Sequence, residues 1–340
     1  MLKKHIFLLA AVLLVLSGCA RRNPAWQDQD TLTLLKQVQV VGNPVDLSFD
    51  DDHIFVAQDQ GGISLIDITD YSQRWWPEVY PPSADAVLAR IRNISAIGEH
   101  KLLFLSEYYA ADKIRIIDYS DLDSLKLHDS ITGGTDNLMS MSFTAIPNPS
   151  DDNIVEGFFA VGGTEPKVLY ARYNGELYLG TDYSIVTSPW VPEGTAANSN
   201  YVFVAAQQRG LLVYNRVTRL KVGELALPGE ALHVKLAGNY AYVASRQGGL
   251  NVVNVGAPDE PLLVKTFDTT GYATTVDVQG NLAAVSSGSG GIYLFDVSTP
   301  GNPILKQNLS SAGYTNNAKF HQGKLVVASR DQGVLIYAID

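Results

Sequence analysis

One hairpin is written again and again along this chain. "VASRQGGLNVVNV" (Val243 to Val255), "VSSGSGGIYLFDV" (Val285 to Val297) and "VASRDQGVLIYAI" (Val327 to Ile339) share a shape: a β-rich run, a short polar turn with Gly, and a second β-rich run. Gly249, Gly291 and Gly333 stand 42 residues apart, and so do Gly229, Gly271 and Gly313. "VAAQQRGLLVYNR" (Val204 to Arg216), "VAQDQGGISLIDI" (Val56 to Ile68) and "LFLSEYYAADKIRIIDY" (Leu103 to Tyr119) are further copies, and "GFFAVGGTEPKVLYARY" (Gly157 to Tyr173) is a weaker seventh. A period of this length marks units that cannot bury their apolar faces alone and must stack.

The cleanest unit, Ala231 to Phe267, contains four strand-like runs. "ALHVKL", "YAYVAS", "GLNVVNV" and "PLLVKTF" are separated by "GN" (Gly238, Asn239), "RQGG" and "GAPDEP". Pro261 stands only at the start of its run, where a missing N–H is tolerated. Four short strands per 40 to 45 residues is the β-propeller pattern. A helical solenoid is excluded, because the runs are β-branched and aromatic and are broken every few residues by Gly, Asn and Pro.

Near the end of the third strand stands Asp67, Asp118, Asn215, Asn254 or Asp296. The expectation is an Asx-turn, in which the side chain accepts a backbone N–H two residues on; a metal or acid–base role is the alternative. The runs "SLIDI", "RIIDY", "NVVNV" and "YLFDV" resemble the signature of LVIVD-repeat proteins over most of the chain from Val41 onward. That resemblance implies a propeller exported to the bacterial or archaeal envelope, with adhesion or scaffolding as its work and no established chemistry.

Seven hairpins give an all-β, seven-bladed propeller of four-stranded blades. The last unit stops at Asp340 after its third strand, while "LTLLKQVQVVGNP" (Leu32 to Pro44) belongs to no unit of its own. Leu32 to Val40 is therefore expected to complete the last blade, so that no edge is left open where the ring closes. Blades one to three exceed 42 residues; the excess is placed in "DYSQRWWPEVYPPSADAVLAR" and around Asn148 to Asn153.

The first residues bear on location. "MLKK" is a positive start, "IFLLAAVLLVL" (Ile6 to Leu16) is an apolar run too short to span a membrane, and "LSGC" (Leu16 to Cys19) resembles a bacterial lipobox. The resemblance implies a signal over residues 1–18, acylation of Cys19, and, with Ala20 following, the outer membrane. Cys19 is the only Cys, so an internal disulfide and a Cys-based metal site are excluded. Residues 19–31 are then a tether, whose stretch "ARRNPAWQDQD" (Ala20 to Asp30) spans at most about 35 Å at about 3.3 Å per residue, and residues 32–340 the propeller. More than one acyl chain anchors stably. A formal net charge of −10 leaves no electrostatic footprint for nucleic acid.

No catalytic constellation is present in the sequence. His5, His53, His100, His128, His233 and His321 form neither HxH nor HExxH. "SSGSGG" (Ser286 to Gly291) lacks the first Gly of a nucleophile elbow and is followed by no helix. "DDD" (Asp50 to Asp52) lacks calcium-ligand spacing and is expected to be a solvated turn. Neither a cofactor nor a metal is implied. The leading expectation is a non-enzymatic module, monomeric, binding an envelope protein or polysaccharide. The alternative is a hydrolase- or lactonase-type propeller with a metal in its central channel, for which His233, Asp277 and Asn317 are partial candidates.

In a propeller the turns between second and third strands share one face with the connections between blades. That face is nominated for binding. Its candidates are Asp59, Arg209, Arg246 and Arg330 on the turns and Tyr272 and Tyr314 on the connections. Arg246 and Arg330 are expected to flank a notch at Gly288 and to meet an acidic group. Trp75 and Trp76, placed in the blade-one insertion, are either a partner hot spot or a cover for the outside of a blade.

Overall fold

The computed structural model describes residues 31–81, 86–107, 114–131, 138–144, 155–173 and 178–340. The expected signal over residues 1–18, Cys19 and the expected tether up to Asp30 lie outside the described residues, as do Asn148 to Asn153. The strands form seven four-stranded antiparallel sheets. Their first strands are Asp46–Phe49, Ile91–Ile97, Leu138–Thr144, Gly194–Ala197, His233–Ala237, Thr275–Gln279 and Thr315–His321. Each packs against the first strand of the next blade, and the seventh returns to the first, so the ring is closed around a central channel.

Closure follows the expected route. The N-terminal strand Leu32–Val38 pairs antiparallel with Gly333–Ile339, from Leu32 opposite Ile339 to Val38 opposite Val334. Leu32 and Val38 are buried, while the residues between them face outward. The outermost strand of the last blade is thus supplied by the start of the chain. Its direction also places Leu32 on the lower face, opposite the turns between second and third strands.

The core lies between blades. Second and third strands such as Tyr201–Ala205 and Leu211–Asn215 are almost wholly buried, whereas fourth strands such as Leu262–Phe267 are half-buried to exposed. Each inner strand is covered on both faces by neighbouring blades, which is why its sequence is an unbroken apolar run rather than an alternating one. One cluster joins Tyr242 and Leu250 of blade five to Val276, Val285 and Phe295 of blade six. Another joins Val38, Val326 and Ile336 to Leu47 and Ile54 across the seam.

The repeated Asx positions are turn-formers. Asp67, Asp118, Asn215, Asn254 and Asp296 each accept the backbone N–H two residues on, at 2.7 to 3.0 Å. Burial would raise the Asp118 carboxyl, but the amide and hydroxyl of Ser120 outweigh it and hold its pKa below the ordinary range.

Two expectations about blade one are corrected. Gln73–Trp76 is the fourth strand of the blade, not part of the insertion, because it pairs with Ile63–Asp67. Trp76 packs on the cluster shared with blade two, and exposed Trp75 donates its indole N–H to the Gly61 carbonyl at 2.6 Å. The excess begins only at Pro77 and tucks Val79, Ala86 and Leu88 into that cluster. Asp50, in turn, is not solvated. It is buried, and it accepts the amides of Asp52 and His53, the Lys101 ammonium at 3.1 Å and the Tyr119 hydroxyl at 3.0 Å. Burial alone would raise its pKa; these partners hold it below the usual range and fasten blade one to blade two. Asp51 and Asp52 are exposed, as a turn requires.

Candidate functional site

The channel is walled by the first strands. Its lower half encloses about 380 Å³ and its upper half about 340 Å³. At successive 42-residue steps, Lys235, Asp277 and Lys319 stand at one level in blades five, six and seven, and His233, Thr275 and Asn317 at the level above. Lys235 Nζ meets Asp277 Oδ1 at 2.7 Å. Lys319 Nζ meets Asp46 Oδ1 at 2.9 Å, and Asn317 Nδ2 donates to the same oxygen at 2.6 Å. At the lower mouth the rings of Phe49 and His321 stack at 4.5 Å.

The channel wall is an edge problem. An innermost strand has no neighbour on its inner side, so its inward N–H groups need other acceptors. Side chains of the preceding blade supply them. Asp46 Oδ2 accepts the Ile94 amide at 3.0 Å, Ser48 Oγ the Ala96 amide at 2.8 Å, and Asp277 Oδ2 the Phe320 amide at 2.9 Å. His233 Nδ1 takes the Val276 amide at 3.4 Å, which leaves the neutral ring its proton on Nε2. Enclosure by protein, then the ammoniums of Lys319 and Lys235, press the His233 pKa down to about 4.

The partial enzyme candidates His233, Asp277 and Asn317 are thus brought to one channel, but each is engaged with a neighbouring blade. Among the described residues, no group of three or more His, Cys, Asp and Glu side chains is placed to hold a metal. Near the upper mouth Glu193 accepts Gln207 Nε2 at 2.6 Å, and burial raises its pKa.

The upper rim is organised by bridges between blades. Arg246 pairs through its backbone with Ala273, Gln207 with Ala231, Gly288 with Thr315 and Asp59 with Ile91. Arg246 has φ +41°, and its guanidinium lies between the carboxylate of Glu230, an ion pair, and the ring of Tyr272, 5.7 Å from its centre. Arg330 differs. Its amide donates to the Tyr314 carbonyl at 2.8 Å, and its exposed guanidinium lies 4.0 Å from the centre of the Tyr314 ring. The two Arg are therefore equivalent in sequence but not in structure. The expected notch at Gly288 is also filled: a Cβ there would lie 3.3 Å from the Tyr314 ring, which covers the glycine on one side and meets Arg330 on the other. Asp331 fixes the tyrosine by accepting its amide at 2.7 Å.

The remaining candidates are dispersed. Arg209 turns toward the outer strand, pairing with Glu224 and lying 4.9 Å from the Trp190 ring centre. Asp59 is half-buried beside Arg90 and Arg92. Trp75 and Trp76 sit at the outer edge of blade one.

Sequence reading missed Asp46, Lys235 and Lys319. The 42-residue step links Lys235, Asp277 and Lys319 directly, and the strand's alternation would have turned all three inward.

The LVIVD repeat model matches residues 228–269 and 270–310, which are blades five and six, so the chain is a seven-bladed propeller carrying LVIVD repeats. No curated protein matches the chain. Among solved structures it is similar to the computationally designed Ika8 protein, with TM-score 0.66 and 13% identity over 90% of this chain and 99% of that one. It is equally similar to the Cps50 (Swd1) β-propeller domain of Myceliophteria thermophila, with TM-score 0.66 and 12% identity over 91% of this chain and 100% of that one. At such identities the likeness is one of fold.

Proposed function

We propose that this propeller is a non-enzymatic docking module of the bacterial envelope, held at the outer membrane by acylation of Cys19, whose upper rim receives an acidic group of a protein or polysaccharide partner. The observation that carries the reading is the fate of the channel's polar side chains. Asp46, Asp277 and His233 accept edge amides of the next blade, and the two carboxylates also neutralise ammoniums. A catalytic acid or base must reach its substrate with its lone pair or proton available. Here the two carboxylates and His233 Nδ1 are engaged in holding blades together.

The rim is different in kind. Arg330 is exposed, pre-oriented on a tyrosine ring, and, among the described residues, forms no ion pair. A stacked guanidinium keeps its in-plane N–H donors for an incoming carboxylate or phosphate. Arg246 and Tyr272 extend the same arc. The chain enters the ring at Leu32 on the lower face, so a tether from Cys19 would join the propeller on the face opposite the upper rim.

The test is crosslinking and recovery of partners from membranes with wild type and with Arg246→Ala, Arg330→Ala together. Partner recovery should fall while the melting temperature stays nearly unchanged, since exposed turn substitutions cost within about 0.5 kcal/mol. Equal recovery from both proteins would reject the rim as the binding face. Turnover found in an activity screen and lost on mutating a channel residue would reject the non-enzymatic reading.

A further inference from the structure

Three arginines converge at a cavity on the lower face, between blades three and four and away from both the channel and the rim. The cavity measures about 180 Å³. Arg172, near the end of the third strand of blade three (Lys167–Tyr173), meets there Arg216 and Arg219 from the turn that follows Leu211–Asn215 in blade four. Phe158 and Tyr170 form an aromatic wall, with ring centres 5.4 Å apart, and Ser184 adds a hydroxyl. Val217, largely exposed, makes an apolar lip.

The group is built rather than incidental. Glu156 is buried behind the cavity, and its two oxygens are occupied by the Tyr170 hydroxyl and the Arg216 guanidinium. Arg216 also donates from Nε to the Ser199 carbonyl at 2.9 Å, so its plane is fixed from two sides. Arg172 stands directly across the strand pair from Glu156. Burial, then Glu156, raises the Tyr170 pKa, so its hydroxyl remains a donor. Arg172 and Arg219 make further contacts within the chain, and each guanidinium carries five N–H donors. Three guanidiniums line this cavity in a chain whose formal net charge is −10.

We propose that this cavity is a phosphate site, in which Arg172, Arg216 and Arg219 bind the oxygens of a phosphoryl group and the aromatic wall and Val217 receive the small apolar or sugar stem that carries it. Three convergent guanidinium forks suit a group with three or more acceptor oxygens. The volume accommodates a headgroup-sized ligand. The phosphoryl group is either that of a lipid headgroup or a free phosphate. The lower face is where the chain enters at Leu32, so a lipid source fits the Cys19 anchor; the pocket itself does not depend on that anchor.

The experiment titrates the full-length chain in a neutral detergent by calorimetry, with inorganic phosphate in one arm and dioctanoyl phosphatidate in the other. Arg172→Gln and Arg219→Asn are compared with wild type; Asn is chosen because Arg219 has φ +63°, a region Asn tolerates. Each variant should weaken phosphate binding by at least about ten-fold with an unchanged cooperative melt. If one variant fails to fold, the other carries the test. Phosphatidate binding at least about ten-fold tighter than phosphate assigns a lipid headgroup, and equal or weaker binding assigns a free phosphate; both support the pocket. Absence of binding in both arms by wild type, or affinity unchanged in the folded variants, overturns it. Loss of the rim-dependent partner leaves this result untouched, so the two proposals fail separately.

Discussion

Lys319 of blade seven reaches Asp46 of blade one across the seam, with Nζ 2.9 Å from Oδ1. The ring is thus fastened twice, by the N-terminal strand at its circumference and by this pair at its axis. Asp46 also accepts Asn317 at 2.6 Å and the amide of Ile94 at 3.0 Å, so one carboxylate joins blades seven, one and two.

Asp46→Ala leaves a partly buried ammonium, an amide and two backbone N–H groups, those of Leu47 and Ile94, without their acceptor. The expected loss is about 3 kcal/mol, read from the urea midpoint at constant m-value. Lys319→Met removes the charge but keeps the other three bonds to Asp46, and should cost about 1 kcal/mol. A loss below about 0.5 kcal/mol for Asp46→Ala would mean that the outer strand alone holds the seam.

His233 gives the fold a dependence on pH with a definite sign. Its folded pKa is about 4 against an ordinary 6.5. As pH falls through 6.5 the unfolded chain takes up a proton that the folded chain refuses. Stability should therefore decline from pH 6.5 to about 4 and level off below, by on the order of 3 kcal/mol at the limit. Lys319 and Lys235 press the shift downward, while Asp277 and Asp46 oppose it. His233→Gln should flatten the slope when denaturation is measured at pH 7, 6, 5 and 4. A residual slope of the same sign is expected from His321, whose pKa burial also lowers. Identical pH profiles for wild type and variant would remove His233 from the account.

Two glycines of blade six should respond in opposite ways. A Cβ on Gly290 would lie 1.7 Å from the Thr270 carbonyl oxygen, so the connecting loop and the turn must separate to admit it. Gly290→Ala is expected to cost at least about 2 kcal/mol. Gly280 has φ +57° and open space around its Cβ position. Gly280→Asn should change stability by less than about 1 kcal/mol, because Asn tolerates this conformation. Melting curves of the two variants decide it, and a similar loss for both would contradict the close approach at Gly290.

Cys19→Ser tests the anchor apart from the fold. The protein should leave the membrane fraction while its melting curve is retained, since the described core begins at Leu32. Retention on membranes after a high-salt wash would exclude the acyl anchor.

The blades were legible because a period of 42 repeats the same burial problem, and each copy answers it with the same residue types. Even the unpaired "LTLLKQV" could be assigned, since the last unit lacks a strand of that kind. Side-chain partnerships across blades were harder. Lys235, Asp277 and Lys319 keep the period and were within reach of it, whereas Arg216 and Glu156 meet at a blade boundary with no periodic trace. At the rim, sequence equivalence misled: Arg246 and Arg330 share a turn position, but only Arg246 adopts positive φ, and Tyr314 fills the space that Gly288 vacates.

The union of Leu32–Val38 with Gly333–Ile339 also sets an order of events. Thr33 Oγ1 bonds Asp340 Oδ2 across 307 positions of sequence, so the first of the described strands finds its partner last. Six blades can form from neighbours in the chain as each emerges. The seventh waits for a contact of maximal separation, the kind that slows folding most. Until then the growing protein carries an open strand edge at one end and an unmated strand at the other, and that interval is when it is most exposed to misassembly.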